Sequence, residues 1–379
     1  MKVLISGASG LVGKALQEAL KNAGDQVLCL VRNQKDVSTE AVFWNPADGL
    51  VDIASLEGFD AFINLAGENI AAGRWGDEQK KRILNSRVES TTTLVNALIR
   101  LKQPPKVFIN ASAIGYYGER GDELLNESSA RGAGFLADVC NQWEQAAIPA
   151  QEKGIRTVLL RIGVVLSSEG GALAKMLPPF SFGVGGKLGT GEQYMSWIAL
   201  DDLVGIILYA LSHDSIQGPI NAVAPLPVTN AAFTAVLGEV LQRPTILTVP
   251  AFALKLVAGK ELAEEMLLVS TRVEPKKLMD EGYLFKYPNL ATALSDIVEQ
   301  RREKMEKEYG PKSSKSFIAT LLFCIFLGTL GIHRFYVGKI GTGILMLLTF
   351  GGFGIWWLID LIFIVSMRFR DKQGFRIEP

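Results

Sequence analysis

A glycine-rich turn, Gly7-Ala8-Ser9-Gly10-Leu11-Val12-Gly13, stands between a short apolar strand pattern (Lys2–Ser6) and a helical one (Lys14–Ala23). The helical segment places Ala15, Leu16, Ala19 and Leu20 on one face. Three glycines at this spacing, in this strand–turn–helix context, meet three mechanical needs. Gly7 permits a tight turn. Gly10 lets the backbone approach a pyrophosphate. Gly13 allows the helix to pack closely on the strand, and the helix N-terminus favours the anion. The chain is therefore expected to open on a β-α-β unit that binds a dinucleotide through Gly7, Ser9, Gly10, Leu11, Val12 and Gly13.

The second strand pattern, Gln26–Val31, ends at Arg32. A site for NAD usually places Asp or Glu near this point to bond the ribose 2′-hydroxyl. No acid stands there before Asp36, and Arg32, with Lys35 nearby, suits a 2′-phosphate instead. The expected cofactor is NADP rather than NAD. Further apolar strands follow at Asp60–Leu65, Lys106–Ala111 and Thr157–Ile162, with helical stretches at Asp77–Leu101 and Gly134–Lys153 between them. This alternation predicts an α/β fold, a Rossmann-type doubly wound parallel sheet covered on both faces. Ligands then sit at the carboxyl ends of the strands, so the segments after residues 6, 31, 65, 111 and 162 are expected to line one crevice.

The zero net charge (39 basic, 39 acidic residues) at first argues against nucleic-acid or membrane contact. It is a cancellation. Lys312–Pro379 carries +5 and the rest of the chain −5. The basic tail holds two uncharged runs, Phe317–Ile332 and Ile340–Ile359, the second followed by Asp360 and Leu361–Met367. About 20 apolar residues span a bilayer core, so the tail is expected to form a transmembrane hairpin and to make the lipid bilayer a partner through residues 316–370. Lys and Arg are concentrated on the two outer flanks, which the positive-inside rule places in the cytoplasm. The expected location is a multi-pass anchor in the inner or plasma membrane with a cytoplasmic body. "GTLGIHRFYVGKIGTGILMLL…GGFGIWWLIDL" resembles the TM-two domain, with His333-Arg334-Phe335 in place of an Asp-Arg-Phe-type motif. Trp356 and Trp357 read as interfacial anchors, and Gly351, Gly352 and Gly354 as close-packing or kink positions. Asp360 reads either as a functional acid or as an interfacial residue paired with a base.

Three dispersed cysteines (Cys29, Cys140, Cys324) and two distant histidines (His213, His333) offer neither a disulfide framework nor a metal site. No nucleic-acid partner is expected.

The segments "SGASGLVG", "NLAGENIAAGRW", "SAIGYYG", "FLADVCNQWEQAA", "LLRIGVVL" and "LGTGEQYMSWIALDDL" resemble an atypical, epimerase-like branch of the extended short-chain dehydrogenase/reductases. "RVEPKKLMDEGYLFKYPNL" is similar to the small C-terminal domain found with that branch. The resemblance implies a nicotinamide cofactor, a small substrate cap and a small-molecule substrate. It also implies that Asn64, Ala66 and Gly67 form the turn behind the cofactor ribose. That superfamily typically uses Ser, Tyr and Lys, the last two as YxxxK. Ser112 matches the serine, but Phe135 and Val139 stand where the YxxxK pair belongs. Tyr116 and Tyr117 are the nearest phenols, and Ser112 with Tyr117 is the catalytic expectation. Glu144 reads as a helix-surface or substrate-polar group, and Arg161 as a ligand for an anionic substrate group or as the partner of a buried acid. Lys187–Trp197 reads as a closing cap loop, Asp201 and Asp202 as helix caps, and His213 as a surface residue.

The expected organisation is a Rossmann domain with substrate cap (1–240), a small domain (241–298), a charged helical linker (299–315) and the hairpin (316–370). The function this implies is a membrane-tethered NADP(H)-dependent oxidoreductase or sugar-nucleotide epimerase-like enzyme. The alternative is a non-catalytic NADP(H)-sensing module on a membrane anchor.

Overall fold

Seven apolar segments and one short hairpin arm build the central sheet: β1 (Lys2–Ser6), β2 (Gln26–Val31), β3 (Ala41–Asn45), β4 (Leu50–Val51), β5 (Ala61–Asn64), β6 (Val107–Ala113), β7 (Arg156–Ile162) and β8 (Gly218–Ala222). Their order is β8-β7-β6-β5-β1-β2-β3-β4, parallel throughout except for β3 with β4. Val3 pairs with Val27 on one side and Ala61 on the other, so the strand order reverses at β1. The β8 strand is unexpected from its Gly218-Pro219 start. A strand that opens on proline is tolerated because it lies at the sheet edge.

The period-two alternation of side chains divides each strand between two cores. Val3, Ile5, Ala61, Ile63, Val107, Ile109, Val158 and Leu160 face α1 (Leu11–Asn22) and a helix at Leu200–Ser212. Leu4, Phe62, Phe108 and Leu159 lie on the other side, with α2 (Asp77–Leu98) and α3 (Phe135–Glu152). Burial of each such side chain contributes about 1.5–3 kcal/mol. Asp202 does not cap the Leu200–Ser212 helix. Its carboxylate accepts from the backbone N–H groups of Lys286 (2.7 Å) and Tyr287 (2.9 Å), while Asp201 pairs with the Lys286 ammonium (2.7 Å). The two acids tie a later segment to the helix start.

This computed structural model describes residues 1–352 and 354–379, in two units. One is Met1–Leu177 with Gly185–Leu294, and the other is Pro178–Val184 with Ser295–Pro379. In the second unit the two uncharged runs are broken. The helices are Phe317–Leu327, Ile332–Tyr336, Ile340–Leu348 and Ile355–Val365. Gly331 (φ +72°) interrupts the first run, and Gly351 (+74°), Gly352 (+60°) and Gly354 (+83°) interrupt the second. Eleven helical residues reach about 16 Å, and among the described residues no helix is long and apolar enough to cross a membrane. Among these short helices three ionisable side chains lie inside. Arg334 grips the Asp360 carboxylate with Nε and Nη2 (2.5 and 2.6 Å), and His333 Nε2 lies 2.8 Å from it. His333 and Asp360 are 0% and 1% exposed. Leu322, Phe326, Leu348, Ile355, Ile362 and Phe363 are exposed. Trp357 is an internal strut, donating to the Cys324 carbonyl (2.5 Å), and the Arg334 guanidinium lies 4.5 Å from the Trp356 ring centre.

The glycine turn provides a direct test of the packing. A Cβ on Gly13 would lie 2.4 Å from the Gly7 carbonyl oxygen and 2.7 Å from Ala8 Cα. Gly13→Ala is expected to cost about 1–3 kcal/mol. Gly73→Ala, where a Cβ meets nothing within 4 Å, should change stability little. Thermal unfolding of the two variants in detergent measures the difference.

Candidate functional site

At the reversal point between β1 and β5, Gly7 turns with φ +72°, and a Cβ there would lie 2.6 Å from the Leu65 carbonyl. The turn closes through the Gly10 N–H to the Gly7 carbonyl (3.1 Å). The first helical turn of α1 has neither a side-chain cap nor an acid, so its N–H groups stay available to an anion. Ser9 and Gly10 are exposed, and Leu11 and Val12 half-buried. Arg32, just past β2, is exposed, and among the described residues no carboxylate pairs with it. A glycine cradle without space for a Cβ, an uncapped helix start and an unneutralised arginine fit a phosphorylated dinucleotide.

Asn64 is fully buried, which separates it from Ala66 and Gly67. Its Oδ1 accepts from Ser6 Oγ (2.5 Å) and the Ala66 N–H (3.3 Å). Its amide donates to Thr91 Oγ1 (2.9 Å) and Asn110 Oδ1 (2.7 Å). Asn64 shapes the turn from below, while Gly67 is exposed on it.

Ser112, Tyr117, Glu144 and Arg161 form one buried network. Arg161 forks onto Glu144 (Nε–Oε1 2.8 Å, Nη2–Oε2 2.9 Å), and Ser112 Oγ donates to Glu144 Oε1 (2.7 Å). The Tyr117 hydroxyl accepts from Arg161 Nη1 (3.0 Å) and lies 2.7 Å from Asn221 Oδ1 and 3.0 Å from the Asn126 carbonyl. The Arg161 guanidinium also sits 3.5 Å from the Tyr116 ring centre. Arg161 is thus the partner of a buried acid, and Glu144 is that acid rather than a helix-surface group. Ser112 and Tyr117, the expected catalytic pair, are brought together by this network. Both are buried, with their hydroxyls committed inside the network. Burial pushes the Tyr117 phenol up to about 12, the reverse of what an acid–base tyrosine needs.

Where YxxxK is absent, Phe135 opens α3, and the N–H groups of Phe135 and Leu136 donate to the Glu265 carboxylate (2.9 and 2.8 Å). Trp75 meets Phe135 edge-on (5.2 Å), and Lys80, paired with Glu261, lies 4.7 Å from its ring centre. An aromatic wall occupies the position of the usual dyad. Lys187–Trp197 is tied down rather than free to close. The Gln193 amide donates to the Leu188 and Leu267 carbonyls, Ser196 Oγ donates to the Thr271 carbonyl, and Trp197 is buried. His213 is exposed and stacks on Tyr209.

The sequence reading passed over Arg87, since one arginine on a long polar helix looks like a solvated charge. It is half-buried on α2. Its Cζ lies 5.0 Å from the Trp143 ring centre, and 3.2 Å from the position of a Cβ on Gly67.

Comparison with known proteins places this geometry. The NAD dependent epimerase/dehydratase family matches residues 3–223, a domain of unknown function (DUF1731) matches 249–297, and the TM2 domain matches 313–362. An epimerase family protein of Mycobacterium leprae is 42% identical over 293 residues, covering 77% of this chain and 94% of that protein. The Bacillus subtilis epimerase family protein YfhF is 36% identical over 307 residues, covering 80% and 99%. The crystal structure of human epimerase family protein SDR39U1 with NADPH is 34% identical, with a TM-score of 0.73, covering 79% of this chain and 99% of that one. The chain belongs to the NAD dependent epimerase/dehydratase family.

Proposed function

We propose that this chain is a membrane-associated NADP(H)-dependent protein of the epimerase family acting on a small substrate. The observation that carries the cofactor reading is the pairing of the Gly7–Gly13 cradle with Arg32, a cation at the end of β2 that has no carboxylate partner among the described residues. The α1 N-terminus and Gly10 hold the pyrophosphate, Arg32 the 2′-phosphate, and Ala66 and Gly67 the nicotinamide ribose. The NADPH present in the human relative's structure supports the same choice. The bound cofactor supplies hydride transfer. The chain's own residues orient it and exclude water with the wall of Phe135 and Trp75.

A specific observation favours the second reading, a non-catalytic NADP(H)-sensing module. Phe135 and Val139 replace the dyad, and the Tyr117 phenol is sealed away. NADPH oxidation measured over a panel of carbonyl compounds and nucleotide sugars separates the two. Turnover supports the enzyme, and tight binding without turnover supports the sensor.

The membrane reading draws on the pattern within 316–370, where His333, Arg334 and Asp360 pair inside while apolar side chains such as Phe326, Leu348 and Phe363 lie outside. The match to the TM2 domain supports it. We place residues 316–370 in the bilayer, the preceding domains (1–240 and 241–298) in the cytoplasm, and 299–315 as the linker between them.

Arg32→Ala is expected to remove charge-assisted bonds worth about 1.5–3 kcal/mol, weakening NADPH roughly 10–100-fold while leaving NADH within about twofold. Fluorescence titration with each cofactor checks this, and equal loss for both would sink the NADP preference. Glu144→Ala, by stranding Arg161, should destabilise the fold by about 3–5 kcal/mol, and Tyr117→Phe by about 1–3 kcal/mol. Calorimetric unfolding reads both. The full chain should remain in the membrane pellet after carbonate washing. A tag at Pro379 should be inaccessible from outside intact cells, and its surface labelling would overturn the orientation.

A further inference from the structure

We propose that Arg87 is an anion-binding subsite at the nicotinamide end of the crevice, taking a phosphate or carboxylate group of the substrate. The proposal rests on the cofactor reading above for the direction in which the crevice runs, and it adds a substrate class: small molecules bearing an anionic oxygen group.

A guanidinium carries five N–H donors and no acceptor. Arg87 spends Nη1 on the Ile83 carbonyl one helical turn back (2.9 Å). Among the described residues nothing accepts from its Nε or Nη2, and no carboxylate forms an ion pair with it. The side chain is half-buried, and neither nitrogen is among the fully enclosed, partnerless atoms of the described residues. Arg161 is bonded by Glu144 and Arg156 by the Ala210 and Ile216 carbonyls, while Arg272 keeps a buried Nε without a partner among the described residues. Arg87 differs from Arg161 and Arg156 in making a single hydrogen bond among the described residues.

Its position fixes what those donors meet. The guanidinium rests against the backbone of Gly67, an exposed residue on the turn after β5. A Cβ there would stand 3.2 Å from Cζ and 3.4 Å from Nη2, so glycine keeps the approach open. The Trp143 ring supports the guanidinium (5.0 Å), holding it in place without neutralising it. The Trp143 indole N–H is itself buried without an acceptor among the described residues. The pyrophosphate cradle lies on β1, and the adjoining strand, β5, leads to Arg87. An anion here sits beyond the dinucleotide's own phosphates. Burial pulls the Arg87 guanidinium below its ordinary value, opposed in part by the Cys140 thiol and the Glu68 carboxylate. This desolvated cation gains when an anion neutralises it.

The test uses the full chain in detergent, loaded with NADPH so that the phosphate cradle is filled. Inorganic phosphate and acetate are titrated by calorimetry into the wild type, Arg87→Gln and Arg87→Lys. The proposal expects at least one anion to bind the wild type, to weaken at least tenfold in Arg87→Gln, and to recover in part in Arg87→Lys, with NADPH affinity unchanged within twofold. Absence of anion binding to the wild type, or equal binding to Arg87→Gln, overturns it. A tenfold loss of NADPH affinity in Arg87→Gln with anion binding intact assigns the guanidinium to the cofactor instead and also overturns it. If the chain fails to bind NADPH, the cofactor reading falls separately, and Arg87-dependence of phosphate binding to the free chain still decides the subsite. Unfolding temperatures are compared for all three proteins, and the lysine variant keeps the test open if glutamine impairs folding.

Discussion

The first unit depends on one close backbone approach. The Gly7 carbonyl, the start of α1 and the Leu65 carbonyl meet at distances that leave no room for a Cβ at Gly7 or Gly13. This contact sets α1 against β1 and brings β5 beside it. The strand order therefore reverses at the spot where N–H groups of an uncapped helix face outward. Elements farther along the sheet inherit that placement. The turn after β5 lies next to the cradle because Val3 pairs with both Val27 and Ala61. The crevice follows from local backbone geometry at residues 7–13, and hydrophobic burial on the two faces stabilises it.

Behind the crevice the fold buries an unusual amount of polarity. Asn64, Asn110 and Thr91 lace β5, β6 and α2, while Ser112, Glu144, Arg161 and Tyr117 lace β6, α3 and β7. A buried ion pair is weak evidence for stability, since desolvation offsets much of the attraction. Breaking one is costly, and a fully bonded network admits few alternative packings. The two networks hold the carboxyl ends of neighbouring strands in register, which is where a cofactor and a substrate must both find fixed partners.

That polarity marks the boundary of what the sequence discloses. The β1–α1–β2 unit is legible almost to the residue because hydrophobic periodicity and three glycines carry independent, local signals. The roles of Ser112 and Tyr117 are not legible, because they turn on which way a side chain faces after the strand ends. One residue of shift at a strand end exchanges inside for outside, and "SAIGYYG" holds two adjacent tyrosines of which the second points inward. Glu144 escapes for a similar reason: a single acid on a helix reads as surface until the facing strand supplies Arg161. Arg87 is hidden by the opposite ambiguity, since nothing local distinguishes a stacked, unneutralised guanidinium from a solvated one. Non-local pairing decides all four, and no motif spans it.

The tail poses the same problem in reverse. Its uncharged runs are plain in the sequence, but the left-handed glycines at 331, 351, 352 and 354 divide them into short helices. What the runs conceal is the sorting of the remaining charges. His333, Arg334 and Asp360 stand 26 and 27 residues apart in sequence and meet in the interior, with the Arg334 guanidinium against the Trp356 ring. In water a small unit gains little from burying three ionisable groups while exposing Phe326, Leu348 and Phe363, because burial of apolar surface is the main driving force of folding. In an apolar medium the balance inverts. Apolar side chains lose nothing by facing outward, and each charge must find its partner inside. The arrangement therefore suits an outer face covered by hydrocarbon or another apolar surface, as proposed above. This is the physical ground on which the membrane proposal stands, despite the shortness of each helix.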